Sequence, residues 1–389
     1  MHTPHRQLAI RRRGSPRRRA LAAGLVILGL TGCLSEDRSE FQGPVAKHRA
    51  GSSSAAGPDE RLFAPSSFWN APLSPDEELD PRSGALVGEL VAQVREEVAA
   101  RHGPWIGTNK SSTPIYRVPP NQPLVEVKLD SQIPHGPYEA FGAVPLPPDA
   151  RPAAGADRHL TVWQPSTDRL WEFFGLERRP DGWHARWGGA IRSVSNSPGY
   201  YTSGSWPGAR FYWGATATSL PVAGGVITVD ELRRGRIGHA LALNIKRVRA
   251  GVFSWPAQRS DGRTPGEDQI PEGARFRLDP QLDIGTLGLH PVTQAIALAA
   301  QRHGMVVRDK STTVALYAED PSPFGRDPYP DLLAPYYPGQ VNRFLDEFPW
   351  EHLQLLKLRL CPERTPAQLR RARDYATGEC TPSGEIAGG

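Results

Sequence analysis

Short apolar segments separated by turn residues run through the middle of the chain, and they limit the folds open to it. Most alternate apolar with polar side chains, which is the period of a half-buried β-strand. Glycine and proline each number 39 in 389 residues, which favours many turns over long helices. The spacing predicts a mainly β (α+β) fold, an antiparallel β-sandwich or jelly-roll-like domain with a few peripheral helices. The predicted strands are 124–129, 159–164, 170–177, 183–187, 239–245, 274–278 and 305–308.

Three segments have a helical pattern instead. Residues 83–101 place apolar side chains at a spacing of four, and the pattern stops at Gly103-Pro104. Residues 292–303 repeat this pattern, and residues 365–375 form a third, short and basic segment. These helices are expected at the periphery of the β domain.

The N-terminal segment has the features of an export signal. Residues 1–19 contain seven arginines and no acid, and the apolar residues 20–30 follow directly. Charged and apolar regions in this order are typical of a signal peptide. The apolar run is shorter than the roughly 20 residues that a membrane-spanning helix needs. We therefore expect residues 1–32 to be removed.

The end of this segment, Leu30-Thr31-Gly32-Cys33, resembles the lipobox of bacterial lipoproteins. The resemblance implies that the Cys33 thiol is acylated and that the chain is cut before it. It also implies an extracytoplasmic lipoprotein that reaches the membrane through its lipid anchor only, on the cell surface or the periplasmic face. The alternative is an ordinary signal peptide in which Cys33 is incidental.

Removal of the signal changes the charge of the chain. Of 46 basic residues, seven lie in the signal, which leaves 39 against 41 acids and a formal net charge of −2. No basic footprint for nucleic acid remains, so a nucleic-acid partner is not expected. The sequence also has no phosphate-binding glycine loop, so we expect no nucleotide.

The rest of the chain divides into three parts. Residues 33–60 are small and polar and are predicted to be a disordered tether, which would span roughly 30 Å as a random coil. Residues 61–350 are predicted to form one β-sandwich-like globular domain. Residues 351–389 are predicted to be a C-terminal helical extension with a disulfide.

The disulfide prediction follows from the cysteine count. The chain has three cysteines, and the lipid occupies Cys33. Cys361 and Cys380 are then each other's only partners, and an oxidising compartment favours their pairing. Two free thiols are the alternative.

The segment 157–177 is predicted to be a β-hairpin with its turn at 165–168. If Gln164 lies opposite Arg169, then Thr161 faces Glu172. His159 in turn faces Phe174. Because side chains alternate along a strand, Asp157, His159 and Glu172 then share one face of the sheet with aromatic residues.

These side chains are the candidate catalytic residues. A carboxylate among apolar groups has a raised pKa, as a general acid requires. Glu172 is therefore the predicted acid, with Asp157 or Asp309 as its carboxylate partner, and His159 or His239 is the predicted base. The alternatives are that Glu172 and His159 pair with each other or with backbone groups, and that Asp309 caps a turn.

Six of the ten tryptophans fall between residues 163 and 213. Tryptophan offers a flat apolar platform for a sugar ring, so Trp163, Trp171 and Trp187 are the candidate substrate-binding residues. Arg259 is the candidate anion-binding residue. Burial in the core and stacking against arginine are the alternatives for the tryptophans.

Metal and cofactor motifs are missing from the sequence. There is no HExxH or paired CxxC, and a zinc site would need the scattered His159, His184 and His239. We therefore expect no metal and no cofactor. A serine hydrolase is disfavoured because the sequence lacks a GxSxG elbow.

Four stretches together resemble a group of secreted bacterial proteins of unassigned function. They are DxH…WEFF at 157–174, GxIxHAL at 235–241, WPA at 255–257 and GxVVxD at 304–309. The resemblance covers roughly residues 68–320. It implies an extracytoplasmic setting and no particular activity.

The leading hypothesis is a surface-tethered protein that acts on a polysaccharide, as a hydrolase or a lyase. The alternative is a non-catalytic carbohydrate-binding or cell-envelope structural lipoprotein. The two differ in geometry, because a flat aromatic face favours binding. A cleft that brings Glu172, His159 and His239 together favours catalysis.

Overall fold

The computed structural model describes residues 61–110 and 112–364. Its helices are α1 Ser83–Ala100, α2 Tyr138–Phe141, α3 Val229–Arg234, α4 Pro291–Arg302, α5 Tyr329–Leu332 and α6 Arg343–Asp346. Its strands are β1 Trp105–Gly107, β2 Ile115–Arg117, β3 Val127–Leu129, β4 Leu160–Gln164, β5 Arg169–Phe174, β6 Glu177–Arg179, β7 Gly182–Ala185, β8 Trp187–Arg192, β9 Leu241–Ile245, β10 Val248–Ser254, β11 Ile270–Glu272, β12 Arg275–Leu278, β13 Met305–Lys310, β14 Ala315–Tyr317, β15 Leu353–Leu355 and β16 Leu360–Pro362.

The strands of the described residues form four sheets, which confirms the predicted mainly β fold. The largest sheet has the order β1-β14-β9-β13-β12-β15. The others have the orders β2-β4-β5-β8, β3-β7-β6 and β11-β10-β16. Antiparallel pairs occur as predicted, for example β4 with β5 and β12 with β13. Parallel pairs occur as well, among them β9 with β13, so the sheets are mixed.

The β4–β5 hairpin has the predicted register. Gln164 pairs with Arg169, and Thr161 pairs with Glu172. The turn is a short 3-10 helix, Pro165–Thr167, that ends at Asp168 in the left-handed conformation. The His159 and Phe174 rings lie 5.9 Å apart, as the predicted pairing requires.

Two hydrophobic cores lie on opposite faces of β9 and β13. Alternate residues of each strand point to opposite sides of a sheet, so both strands are buried on both faces. Leu241, Leu243, Met305 and Val307 pack into one core, and Ala242 and Val306 pack into the other.

The two long helices lie where the spacing of apolar residues predicts them. Helix α1 buries Leu86, Leu90 and Val94 and ends at Arg101, which adopts the left-handed conformation. Helix α4 begins at Pro291, and the His290 side chain accepts a hydrogen bond from the Val292 N–H at its start. None of the helices in the described part of the chain is long and apolar enough to cross a membrane.

Several predicted strands are shorter than expected. The predicted 124–129 strand is regular only over β3, and the predicted 170–177 strand ends at Phe174. Gly175 follows with a φ of +66°, a conformation that turns the chain out of the sheet. The predicted helix at 365–375, the tether and the signal segment lie outside the described residues.

Candidate functional site

The carboxyl ends of β9 and β13 open onto a cavity of about 920 Å³. Because the two strands are parallel, Asn244 and Asp309 reach the same edge of the sheet. The segment before β4 supplies Asp157 and His159, and β14 supplies Tyr317. Aromatic, acidic and basic side chains all line the cavity. The aromatic ones are Phe174, Trp187, Tyr212 and Tyr317, the acidic ones are Asp157, Asp261 and Asp309, and the basic ones are Arg259, Arg308 and Lys310.

His159 lies on the cavity wall and is 5% exposed. Its Nε2 is 3.3 Å from the carbonyl oxygen of Ala215. A carbonyl oxygen only accepts hydrogen bonds, so Nε2 carries a hydrogen, and in the neutral ring Nδ1 is then the acceptor nitrogen. Asp157, two residues earlier, lines the same cavity and is partly exposed. Two of the predicted catalytic residues, Asp157 and His159, therefore line the same cavity.

Glu172 lies behind the cavity wall, not on it. Its side chain is fully buried, and its two oxygens accept hydrogen bonds from the Ala215 and Val222 N–H groups, both at 2.7 Å. Burial raises the pKa of Glu172 to about 7, although these hydrogen bonds oppose the rise. The placement makes Glu172 a support for the segment 214–222, which forms part of the wall. This differs from the predicted role of proton donor to a substrate.

The partly exposed Arg259 and the buried Arg308 hold the same segment 214–222. Arg259 donates from Nε to Ser219 Oγ at 2.7 Å and from Nη2 to the Thr216 carbonyl oxygen at 2.7 Å. Arg308 donates from Nη1 to the Val222 carbonyl oxygen at 2.6 Å. Arg259 lines the cavity, as its predicted anion-binding role requires, and it also has this structural role.

His239 is placed away from the cavity. Its Nε2 lies 3.0 Å from Glu231 Oε2, and its Nδ1 lies 2.8 Å from the Ala240 carbonyl oxygen. Both partners are acceptors, so the ring binds as the imidazolium. Burial opposes this charge, but the Glu231 carboxylate outweighs it and raises the pKa of His239. Burial likewise favours a protonated Glu231, but its partners lower the pKa of Glu231 to about 2.

Only one of the three predicted tryptophan platforms lines the cavity. Trp187 does, and its Nε1 donates to the Tyr212 carbonyl oxygen at 3.0 Å. Trp163 is 4% exposed and lies beneath Arg117. Trp171 is 2% exposed, and its Nε1 donates to the Ala140 carbonyl oxygen. Core packing and arginine stacking, the alternatives considered for the tryptophans, describe Trp163 and Trp171.

The scattered histidines do not form a common site. His184 is buried beside two acids, with its Nδ1 2.9 Å from Asp130 Oδ1 and its Nε2 3.1 Å from Asp181 Oδ1. His159 lies instead on the cavity wall, and His239 is bound to Glu231.

Sequence reasoning missed Asn244, Asp261, Glu272 and Tyr317. Asn244 Nδ2 donates to the Tyr317 hydroxyl at 2.9 Å. Burial raises the pKa of Tyr317 to about 12, so its hydroxyl stays protonated at neutral pH. Asp261 lies two residues after Arg259, the predicted anion-binding residue. This closeness in the sequence was the one signal that could have identified Asp261. No local pattern marks the other three.

The missed acids form a cluster with Asp309. Asp261, Glu272 and Asp309 each place one carboxylate oxygen within 4.8 Å of the others. Burial, followed by the charges of Asp309 and Asp261, raises the pKa of Glu272 well above its usual range. Burial also raises the pKa of Asp309 to about 6. Within the described residues this is the one group of acids, histidines or cysteines that is close enough to bind a metal ion.

Cys361 lies in β16, where it pairs with Phe253 of β10 and is buried. Its predicted partner Cys380 lies outside the described residues, so the disulfide stays a prediction.

Comparison with known families, with curated proteins and with solved structures finds no match for this chain. The function is therefore argued from the site alone.

Proposed function

We propose that this chain is an enzyme that cleaves a polysaccharide and that the cavity is its active site. The observation that carries the proposal is the composition of the cavity wall. Asp157 and His159, a carboxyl group and an imidazole suited to proton transfer, lie there with four aromatic side chains. A flat aromatic surface without such groups would favour a binding module instead.

The aromatic side chains supply the contact for sugar rings. Phe174, Trp187 and Tyr212 line the cavity. Aromatic faces pack against the apolar C–H faces of sugars. The volume of about 920 Å³ is near the upper end of the range for ligand pockets, which suits a substrate of more than one ring.

The cavity contains the groups that elimination from an acidic polysaccharide needs. Elimination requires a base and a positive charge that neutralises the carboxylate of a uronic acid. His159 is the proposed base, and Arg259, Arg308 and Lys310 place positive charge on the wall. The arginines keep their charge although they donate to backbone carbonyl groups.

Hydrolysis is the second candidate. Glu172, the predicted acid, lies behind the wall, so the carboxyl pair would be Asp157 and Asp309, which both line the cavity. The charge of Asp157 contributes to the raised pKa of Asp309, which indicates that the two groups are close.

The proposed location is outside the cytoplasm. The signal segment and Cys33 support an extracytoplasmic lipoprotein, tethered by residues 33–60. A polysaccharide of the cell envelope or the surroundings is within reach of such a protein. The site itself gives no argument for a nucleotide or nucleic-acid substrate.

The test is a panel of neutral and uronate-rich polysaccharides incubated with the purified mature chain. Ultraviolet absorbance of unsaturated products and new reducing ends are measured together. We expect both signals on a uronate-rich substrate, and reducing ends without absorbance would assign hydrolysis. His159→Asn and Asp157→Asn should each lower kcat by about 100-fold or more, whereas His102→Asn, at an exposed position, should not. Binding without turnover, unchanged in both active-site variants, would contradict the proposal that the chain is an enzyme.

A further inference from the structure

The acidic cluster at the inner end of the cavity has the composition of a site for a hard cation. Asp261 lies between β10 and β11, Glu272 ends β11, and Asp309 lies on β13. Their nearest carboxylate oxygens are within 4.8 Å of one another. Calcium takes oxygen ligands at about 2.3–2.6 Å, so two ligands on opposite sides of the ion lie about 4.6–5.2 Å apart. The cluster is therefore compact enough for its three oxygens to share one ion.

Oxygen atoms of this cluster lack hydrogen-bond donors. Glu272 is fully buried, and its Oε1 has no hydrogen-bond partner, while its Oε2 accepts from the Asp261 N–H at 3.0 Å. Asp261 Oδ1 is likewise buried without a partner. A buried oxygen without a donor is costly, because it loses its hydration and gains nothing in return. A bound cation would remove that cost.

An independent ligand points to the same place. Asn244 is 5% exposed and lines the cavity, and its Oδ1 has no hydrogen-bond partner. Asn244 is the register partner of Asp309 on the neighbouring strand, so the two side chains leave the sheet on the same face. Its Nδ2 donates to the Tyr317 hydroxyl, which leaves the amide oxygen as the ligand. Amide oxygens are common calcium ligands.

We propose that Asp261, Glu272, Asp309 and the Asn244 amide oxygen bind a calcium ion at the inner end of the cavity. Four protein ligands leave two to four positions of the usual six to eight, and these face the cavity. The binding of the ion does not depend on the proposed function. Its role does, because the open positions would hold the carboxylate of a uronic acid next to His159.

The test measures calcium binding by the mature chain after treatment with a chelator. Isothermal titration calorimetry and thermal unfolding with and without calcium should show one ion per chain and a higher Tm. Glu272→Gln removes a ligand charge but keeps the volume, and it should weaken binding by at least tenfold and abolish the rise in Tm. Glu319→Gln is the matched control, since Glu319 is another buried carboxyl group with a raised pKa, outside the cluster.

Three results would overturn the proposal. They are no binding at millimolar calcium, binding unchanged in Glu272→Gln, and equal losses in Glu272→Gln and Glu319→Gln. A folding check comes from the metal-free Tm, which Glu272→Gln should leave close to the wild-type value.

The polysaccharide cleavage assay is interpreted separately from the calcium-binding test. Calcium binding with the expected pattern but no cleavage would leave the metal site standing and reject the enzyme, whereas cleavage at full rate in chelator would reject the role of calcium in catalysis.

Discussion

Glu172 shows how one buried side chain shapes the cavity without touching a substrate. It accepts hydrogen bonds from Ala215 and Val222, the two ends of a segment that also carries Thr216 and Ala217 on the wall. His159 contacts the carbonyl group of the same Ala215. Glu172 and His159 are thus linked through one residue, Ala215, and Glu172 positions the segment against which His159 packs.

Glu172→Gln should lower both stability and activity. Glutamine has one acceptor where glutamate has two, and its amide N–H₂ would face a backbone N–H. We expect a loss of about 1–3 kcal/mol in the free energy of unfolding, measured by urea titration. Glu267→Gln, at an exposed carboxylate, is the control and should change the free energy by less than about 0.5 kcal/mol. An unchanged free energy in Glu172→Gln would contradict the positioning role.

The His239–Glu231 ion pair makes a second prediction, on pH. The groups around His239 are Glu231, which raises its pKa, and Arg61, which lowers it, while the charge of His239 in turn lowers the pKa of His303. Because the pKa of His239 is raised in the fold, its contribution to stability is complete below about pH 6.5 and is lost as the pH rises through the raised value. Because the pKa of Glu231 is lowered to about 2, its contribution is complete above about pH 4.5 and is lost toward pH 2.

His239→Gln should therefore be most destabilising between about pH 4.5 and 6.5. Removal of one partner of a buried ion pair costs about 3 kcal/mol, and this difference from the wild type should shrink at pH 9 and at pH 3. Urea unfolding of both proteins at the three pH values measures it. A difference that does not vary with pH would show that the pair is not ionised.

At the scale of elements, the junction between β11 and β12 depends on one glycine. Gly273 follows Glu272 with a φ of +82°, and a Cβ at this position would overlap the carbonyl oxygen of Ser254. The same junction positions a proposed calcium ligand. A side chain at residue 273 would force β10 and β11 apart.

Gly273→Ala should destabilise the fold more than Gly251→Ala. Gly251 in β10 has a similar φ of +78° but open space where a Cβ would lie. The strain of a left-handed alanine, roughly 1–2 kcal/mol, is common to both variants, so the difference isolates the overlap. We expect an additional loss of at least about 1 kcal/mol in urea unfolding for Gly273→Ala. Equal losses would show that β10 and β11 can move apart without cost.

Helices and hairpins that are determined by residues close to one another in the sequence were predictable. The β4–β5 register follows from alternation and a short turn, and α1 and α4 follow from the spacing of apolar residues. The cavity was predictable only in part. Asp157, His159, Asp309, Arg259 and Trp187 line it as candidates chosen from the sequence.

The rest of the cavity depends on strand pairing across long stretches of chain. Asn244 meets Asp309 only because β9 pairs with β13, and Glu272 joins them only because β11 lies against β13. No alternation within one segment encodes such a pairing. Glu172 and His239 were also chosen from local patterns, but distant contacts decide their places. The segment 214–222 covers Glu172, and His239 is bound to Glu231 of α3.

At the scale of the whole molecule, the predicted lipid anchor determines where the cavity works. Cys33→Ser should leave the folded domain unchanged, because residue 33 precedes the described domain. We expect the variant to be recovered from the soluble extracytoplasmic fraction and the wild type from the membrane fraction, both detected by immunoblot. Equal membrane recovery of the two proteins would contradict the lipobox resemblance.

Cys380→Ser tests the remaining cysteines. If the pair forms, the variant should have one more free thiol than the wild type, at the buried Cys361, when thiols are titrated after unfolding.

The burial of β9 and β13 on both faces has a consequence for how the domain unfolds. Each of the two strands lends alternate side chains to both cores, so neither core can open without exposing the back of the other. Heating should then give one cooperative heat-capacity peak, with equal calorimetric and van't Hoff enthalpies. A truncation that removes the residues packed on one face of these strands would expose that face to solvent and unfold the rest of the domain. The domain is expected to be lost or kept as a single unit, and its cavity with it.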